Sequence, residues 1–169
     1  MTLPDAETEV KTSSEAAENF VTRYYEALSR RTALLPFYVN STTRYSIKAD
    51  ITINGARLET PADYYNLLVE QGQGVYYEAE SIDTHVVNPS FRYDAPDNIP
   101  NMDRMEKKGE LMSIVVTVMG KVQYGKGREA PRKMFNETFV LVPNWEAMQR
   151  NPPRGIKQWL IMSQNFRAL

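Results

Sequence analysis

Imidazole and thiol side chains, the usual ligands of transition metals, are few in this chain of 169 residues, which contains one histidine and no cysteine. A transition-metal site needs a cluster of such ligands, so we expect no metal and no cofactor. The one imidazole, His85, lies two residues from Asp83, so both side chains would project from one face of a strand. His85 and Asp83 are therefore a candidate acid–base pair, although an exposed or hydrogen-bonded strand histidine explains His85 more simply.

Other features that resemble sites of chemistry also have simpler explanations. Tyr24 and Tyr25 could line a cavity, but at least one of them belongs to the core because they follow an apolar helical stripe. Glu78 and Glu80 alternate onto one strand face, which a solvated or partner-facing edge explains better than a metal site. The segment YGKGREAPRK at 124–133 lacks the lysine and Ser/Thr spacing of a phosphate loop, and no nucleophile elbow occurs. We therefore expect a protein that is not an enzyme.

Basic residues gather in the C-terminal half of the chain, although the net charge of the whole is -1. Residues 102–169 carry 12 basic and 6 acidic residues. Between residues 121 and 133, where Glu129 is the only acidic residue, the basic ones are Lys121, Lys126, Arg128, Arg132 and Lys133. These side chains could neutralise RNA phosphates, whereas a solvated turn is the plainer explanation.

Two helices are predicted in the first half of the chain. Thr12 and Glu15 have capping-box spacing, and the apolar stripe that follows predicts an amphipathic helix. A second helix is predicted at about 61–71, with Thr60 as its N-cap. Both helices are expected before the long strands begin.

The second half of the chain has the pattern of strands. Asn54 and Gly55 are typical of a two-residue hairpin turn, which lies between the two helices. From Val75 onward, alternation with period two predicts long strands. Because the helices come first and most strands follow, the order indicates an α+β fold.

The length and composition fit one domain, at residues 13–169, preceded by a flexible acidic N-terminus at residues 1–12. A long loop is expected at about 89–110, and a loop of that length is usually functional or mobile. The first residues lack the features of a secretory signal, and no window is apolar enough to span a membrane. We therefore expect a soluble intracellular protein.

Several predicted strands are apolar on both faces, among them SIVVTVM, FVLV and WLIM. Burial on both faces usually means that helices cover both sides of a sheet. The two predicted helical regions, residues 13–38 and 61–71, suffice to cover only one face. Because large apolar patches are rarely left exposed, the other face is expected to meet a second chain.

Six segments, in this order, resemble the nuclear transport factor two-like (NTF2-like) family: FVTRYYEAL, LLPFYVNS, ITINGARLETPADYYNLL, VVTVMGKVQYG, FNETFVLVP and WLIMSQNFR. The resemblance runs from about residue 17 to residue 169. Because of the long inserted loop and the missing catalytic residues, the chain most resembles the small subunits of the heterodimeric mRNA export receptor.

The resemblance implies a cone-shaped domain, with N-terminal helices packed in the concave face of a bent, mainly antiparallel sheet. Phe139 and Phe166 would point into the core. The outer face would bind the similar domain of the receptor's large subunit; an ordinary exposed strand surface is the alternative. The residues implied to face that partner are Val115, Thr117, Met119, Thr138, Val140, Ile161, Ser163, Asn165 and Arg167.

The resemblance also implies a function: export of mRNA, and of ribosomal precursors, through the nuclear pore. Such a subunit would shuttle between nucleus, pore and cytoplasm. Its partner would bind the phenylalanine-glycine repeats of pore proteins, and the basic residues at 121–133 would contact the RNA backbone. Because the same family includes ketosteroid isomerases and scytalone dehydratase, catalysis in the cone by His85 and Asp83 is the alternative.

Overall fold

The computed structural model describes residues 2–72 and 74–169. The described helices are α1 (Ala6–Arg30), α2 (Pro61–Glu70) and α3 (Met102–Lys107). The strands are β1 (Asp50–Ile53), β2 (Ala56–Leu58), β3 (Val75–Asn88), β4 (Ser113–Tyr124), β5 (Arg132–Pro143) and β6 (Trp159–Ala168). Short 3-10 helices span Leu35–Phe37, Val39–Ser41 and Trp145–Met148.

Helix α1 begins earlier than its sequence pattern predicts. The N-cap is Asp5, whose carboxylate accepts a hydrogen bond from the backbone N–H of Thr8 at 2.7 Å. Acidic residues in the first turn favour this start because they face the positive end of the helix dipole. The predicted start at Thr12 is therefore wrong, and residues 6–12 are helical instead of flexible.

The signals around α2 and the first hairpin were predicted correctly. Thr60 caps α2 in a capping box with Asp63, and Pro61 is the first helical residue. Asn54 and Gly55 connect β1 to β2 with φ angles of 50° and 84°, the positive values that a type I′ turn requires.

The six strands form one sheet in the order β2-β1-β6-β5-β4-β3. Strands β1 and β6 are parallel, and all other neighbours are antiparallel. Helix α1 crosses one face, where the rings of Phe20 and Tyr24 lie 5.6 and 5.1 Å from the ring of Phe139. We call this the inner face and the opposite one the outer face. Phe139 and Phe166 are buried as predicted, and the α+β fold of a bent, mainly antiparallel sheet is confirmed.

A glycine in β4 makes one bend of the sheet possible. The register between β3 and β4 shifts between Ala79 and Ser81, opposite Gly120. A Cβ atom on Gly120 would lie 2.0 Å from the carbonyl oxygen of Glu78. Only a residue without a side chain fits there, so Gly120 allows the close approach of the two backbones at the bulge.

The connection from β3 to β4, which includes the loop predicted at 89–110, contains helix α3 and a buried carboxylate. Glu106 is 5% exposed and accepts hydrogen bonds from Ser90, Thr2 and Arg92. These hydrogen bonds, that of Ser90 first, lower the pKa of Glu106 to about 2. The carboxylate therefore ties the two ends of the connection together and to the N-terminus.

Residues 2–72 and 74–169 contain neither a candidate membrane span nor a candidate metal cluster. None of the helices in these ranges has the length and apolar character needed to cross a bilayer. No group of three or more acidic, histidine or cysteine side chains lies together in a way that could hold a metal ion.

Candidate protein-interaction face

The outer face of β4, β5 and β6 carries three cross-strand rows. Residues paired across antiparallel strands project from the same face, so the register determines which side chains are neighbours. Eight of the nine residues predicted to face a partner lie in these rows, together with Asn136. The rows are Val115–Val140–Ser163, Thr117–Thr138–Asn165 and Met119–Asn136–Arg167.

Ile161 was predicted on this face, and that prediction is wrong. The pairing of β5 with β6 shifts between Val140 and Leu141, so that Ser163 pairs with Val140 while Ile161 pairs with Leu141. The extra residue, Met162, is a β-bulge that reverses the alternation of side chains. Ile161 therefore shares the inner face with Leu141, and its exposed fraction is 0%.

The three rows form a surface that is neutral at its centre and partly exposed. Val115, Thr117, Thr138 and Val140 are half-buried, although no described element covers this part of the sheet, and Met119 is 46% exposed. A shallow hollow of about 420 Å³ lies at one end, lined by Thr52, Gly55, Asn136, Thr138, Asn165, Arg167 and Leu169. A mixture of apolar and uncharged polar groups, with charge only at the margin, is typical of the centre of a protein interface.

The candidate acid–base pair lies on this same outer face. His85 pairs with Val115 and Asp83 pairs with Thr117, and the His85 Nε2 atom is 3.2 Å from Asp83 Oδ2. Their side chains are 71% and 70% exposed. Proton abstraction in the cone of this fold would need the pair in an apolar interior, so the structure disfavours the alternative in which His85 and Asp83 work in a cavity, and His85 is an exposed strand histidine.

The basic segment lies at the hairpin that joins β4 to β5. Lys126 and Arg128 are in the turn, and all five of the predicted basic residues are exposed. Lys121 forms an ion pair with Glu80 at 3.5 Å, and Arg132 donates to Gln123 at 2.9 Å. The five residues share one end of the sheet but not one face, because Lys133 pairs with the buried inner residue Val122 whereas Lys121 points outward.

The sequence interpretation missed a buried polar network on the inner face. Tyr25 donates to Glu137 Oε1 at 2.7 Å, and the amide nitrogen of Gln164 donates to Glu137 Oε2 at 2.8 Å. Gln164 also donates to the hydroxyl of Tyr24 and accepts from that of Tyr38, both at 2.5 Å. Burial raises the pKa of Glu137 to about 7, although these hydrogen bonds partly offset the effect.

The position of Glu137 in the sequence contains the signal that would have revealed this network. It lies midway between Phe135 and Phe139, so the period of two places its carboxyl group on the apolar side of β5. Glu137 and Gln164 are 0% and 1% exposed, so their polar groups face only protein. We assign the network to the core, because its polar groups are enclosed by other residues of the chain.

Comparisons with known proteins agree with this architecture. No protein-family model and no curated protein matches the sequence. Three solved structures match it closely: the Mex67 NTF2-like domain complexed with Mtr2 from Chaetomium thermophilum, a Sac3N peptide bound to Mex67:Mtr2, and Mtr2 itself. Their identities are 31%, 30% and 28%, and their TM-scores are 0.82, 0.83 and 0.81. Each match covers 93% of this chain and 98 or 99% of the other.

The fold and these identities define the class of protein: the chain belongs to the NTF2-like family. Within that family it is an Mtr2-like protein, as the resemblance of its sequence segments predicted.

Proposed function

We propose that this chain is the non-enzymatic small subunit of a heterodimeric mRNA export receptor. The observation that carries the proposal is the set of three outer-face rows, a contiguous surface, neutral at its centre, that the described chain leaves partly exposed. Its relatives support the same assignment, because the solved structures include Mex67 complexed with Mtr2. The partner is the NTF2-like domain of the large subunit, which packs its own sheet against these rows.

Catalysis is the less favoured function for this chain. The one histidine and its aspartate are exposed on the outer face, and the buried carboxyl group of Glu137 is enclosed by protein. An NTF2-like enzyme needs an acid–base group and a space for substrate on the same side of the sheet. The exposed pair has no apolar interior around it, and the Glu137 carboxyl group is shielded from solvent, which favours a binding role.

The role in the cell that fits such a subunit is export through the nuclear pore. In this proposal the heterodimer carries mRNA, and ribosomal precursors as well, and shuttles between nucleus, pore and cytoplasm. The partner's domain binds the phenylalanine-glycine repeats of pore proteins. The heterodimer also offers a surface for peptide partners, a view supported by the relatives that bind a Sac3N peptide as Mex67:Mtr2.

Contact with RNA is the second part of the proposal. The hairpin carries Lys126, Arg128, Arg132 and Lys133, which are exposed and can neutralise phosphates without reading the sequence of bases. This segment lies at the end of β4 and β5 beyond the three rows, so RNA and the large subunit can bind at the same time.

The proposal is tested by Thr138→Arg, which puts a long charged side chain into the central row. Burying an unpaired charge costs about 3 kcal/mol, so the affinity for the large subunit's NTF2-like domain should fall about 100-fold. Size-exclusion chromatography and isothermal titration of the two purified chains measure the effect. Thr22→Arg, at an exposed position of α1, is the matched control and should leave the complex intact. Equal affinity of Thr138→Arg and the wild type would show that this face is not the interface.

A further inference from the structure

A second basic surface lies at the other end of the sheet from the β4–β5 hairpin. The last 23 residues, 147–169, contain no acidic residue. Their basic residues are Arg150, Arg154, Lys157 and Arg167. Three of the four lie in the segment that leads into β6, and residues 156–159 of that segment lie beside helix α1.

Lys157 and Arg23 of α1 line the same cleft. Two adjoining hollows, of about 180 and about 570 Å³, lie between α1 and the segment before β6, and both residues contribute to each. We call this the Lys157 cleft. The Lys157 Nζ atom lies 4.8 Å from the centre of the Phe37 ring, a cation–π contact that holds the ammonium group over the cleft. Arg23 is oriented by a hydrogen bond of 2.9 Å from its Nε to Asn19.

The two cations have no carboxylate partner within salt-bridge distance among the described residues. The acidic residue that lines the cleft is Glu26, which pairs with Arg30 at 2.9 Å. Partial burial, and next the charge of Arg23, lower the pKa of Lys157. Two like charges held beside one cleft repel each other, and a bound anion would remove that cost.

We propose that the Lys157 cleft binds the phosphate backbone of RNA, with Arg23 and Lys157 each contacting a phosphate. A repeating polyanion fits better than a single small anion, because Arg150 and Arg154 continue the positive charge along the same segment. The cleft is open instead of enclosed, so it can accept a strand that enters and leaves. This site is additional to the hairpin and does not depend on it.

The two basic surfaces are far enough apart to act on separate parts of one RNA. The hairpin is at Arg132, the start of β5, whereas Pro143 at its other end pairs with Trp159 beside the cleft. Eleven steps of about 3.3 Å separate the two ends of β5 by roughly 36 Å. An RNA of sufficient length can therefore bind both surfaces of one protein.

The test uses Arg23→Gln with Lys157→Gln in the full chain, bound to the large subunit's domain. Fluorescence anisotropy with a labelled single-stranded oligouridylate measures RNA affinity over a series of salt concentrations. Loss of two phosphate contacts should weaken binding about tenfold at low salt and reduce the slope of log K against log salt by about 1.4. Arg104→Gln with Lys48→Gln removes the same charge from exposed positions that do not line the cleft and should change affinity much less.

Further arms separate the alternatives. Lys157→Arg keeps the charge and should keep the salt slope, whereas Lys157→Gln alone should lower it by about half as much as the double variant. Unchanged RNA affinity in the double variant would overturn the proposal. The proposal would also be overturned if the double variant lost binding to an acidic polyglutamate peptide but kept its RNA affinity. The cleft would then be a site for acidic protein segments. Heterodimer formation, measured on the same samples, should be unaffected in all variants, so this result is independent of the interface test.

Discussion

Glu137 is a carboxyl group whose pKa the fold raises close to neutral pH. It is fully buried, and its pKa is raised by burial from 4.5 to about 7. Since the unfolded chain has the lower pKa, the native state binds the proton more tightly. The stability from this group is therefore complete below about pH 4.5 and is lost as the pH rises through about 7.

Replacement of Glu137 by Gln should remove this pH dependence. A shift of that size corresponds to about 3 kcal/mol, so the wild type should lose up to that amount of unfolding free energy between pH 5 and pH 8. In the variant the amide oxygen can accept from Gln164 while the amide N–H donates to the hydroxyl of Tyr25, so Glu137→Gln should stay folded with a flatter profile. Urea unfolding at several pH values measures it, with Glu129→Gln in the exposed turn as the control. Parallel profiles for Glu137→Gln and the wild type would contradict this account.

Individual residues also mark where reasoning from sequence fails. Val115, Thr117, Thr138 and Asn165 share the outer face, as alternation predicts, because those strands are regular. It failed at Ile161, because one bulged residue, Met162, reverses every assignment before it along β6. A bulge depends on how two distant strands meet, and this contact cannot be inferred from the alternation within one strand.

At the scale of elements, the curvature of the sheet depends on β4 having a glycine opposite the bulge of β3. The close approach at Gly120 is a contact between backbones, so a larger residue cannot be accommodated by a change of rotamer. The helices are less demanding, because their apolar stripes, and the capping box of α2, are local signals that the sequence displays directly. This difference explains why α2 was predicted to within a residue, whereas the bulge of β3 was not.

Gly120→Ala should therefore destabilise the chain by about 3 kcal/mol. The suitable comparison is Gly127→Ala, in the hairpin turn, where φ is 98° and no atom lies within 4 Å of the added Cβ. That variant has backbone strain without a clash and should cost about 1 kcal/mol. Thermal and urea unfolding of both variants measure the difference. Equal losses would mean that the approach of β3 and β4 relaxes freely at the bulge.

At the scale of the whole molecule, the count of layers in the sequence predicts a sheet face that the chain's own helices leave uncovered. The prediction succeeded because two helical regions cannot cover both faces of six strands. The closure of the long connection by Glu106, and the cleft formed by Arg23 and Lys157, could not be predicted in this way. Each joins side chains that are far apart in sequence, and a sequence without its fold does not show such neighbours.

The proposed functions occupy separate surfaces of the molecule, and this separation can be tested at the hairpin. Reversal of charge at Lys126, Arg128, Arg132 and Lys133 should weaken RNA binding by more than about 100-fold at low salt, since four phosphate contacts become repulsive. The large subunit should still bind, because these residues lie beyond the three outer-face rows. The control reverses the charge of four exposed basic residues elsewhere: Lys11, Lys48, Arg104 and Lys108.

The outcome depends on which parts of the surface RNA uses. If the hairpin and the Lys157 cleft both bind one strand, oligouridylates long enough to span roughly 36 Å should gain affinity over short ones in the wild type. That gain should disappear when either surface is altered, while short RNAs should keep the affinity of the surface that remains. RNA binding that is unchanged by the hairpin reversal would exclude the hairpin as a contact. A gain with length that survives both sets of changes would place the second contact on the large subunit.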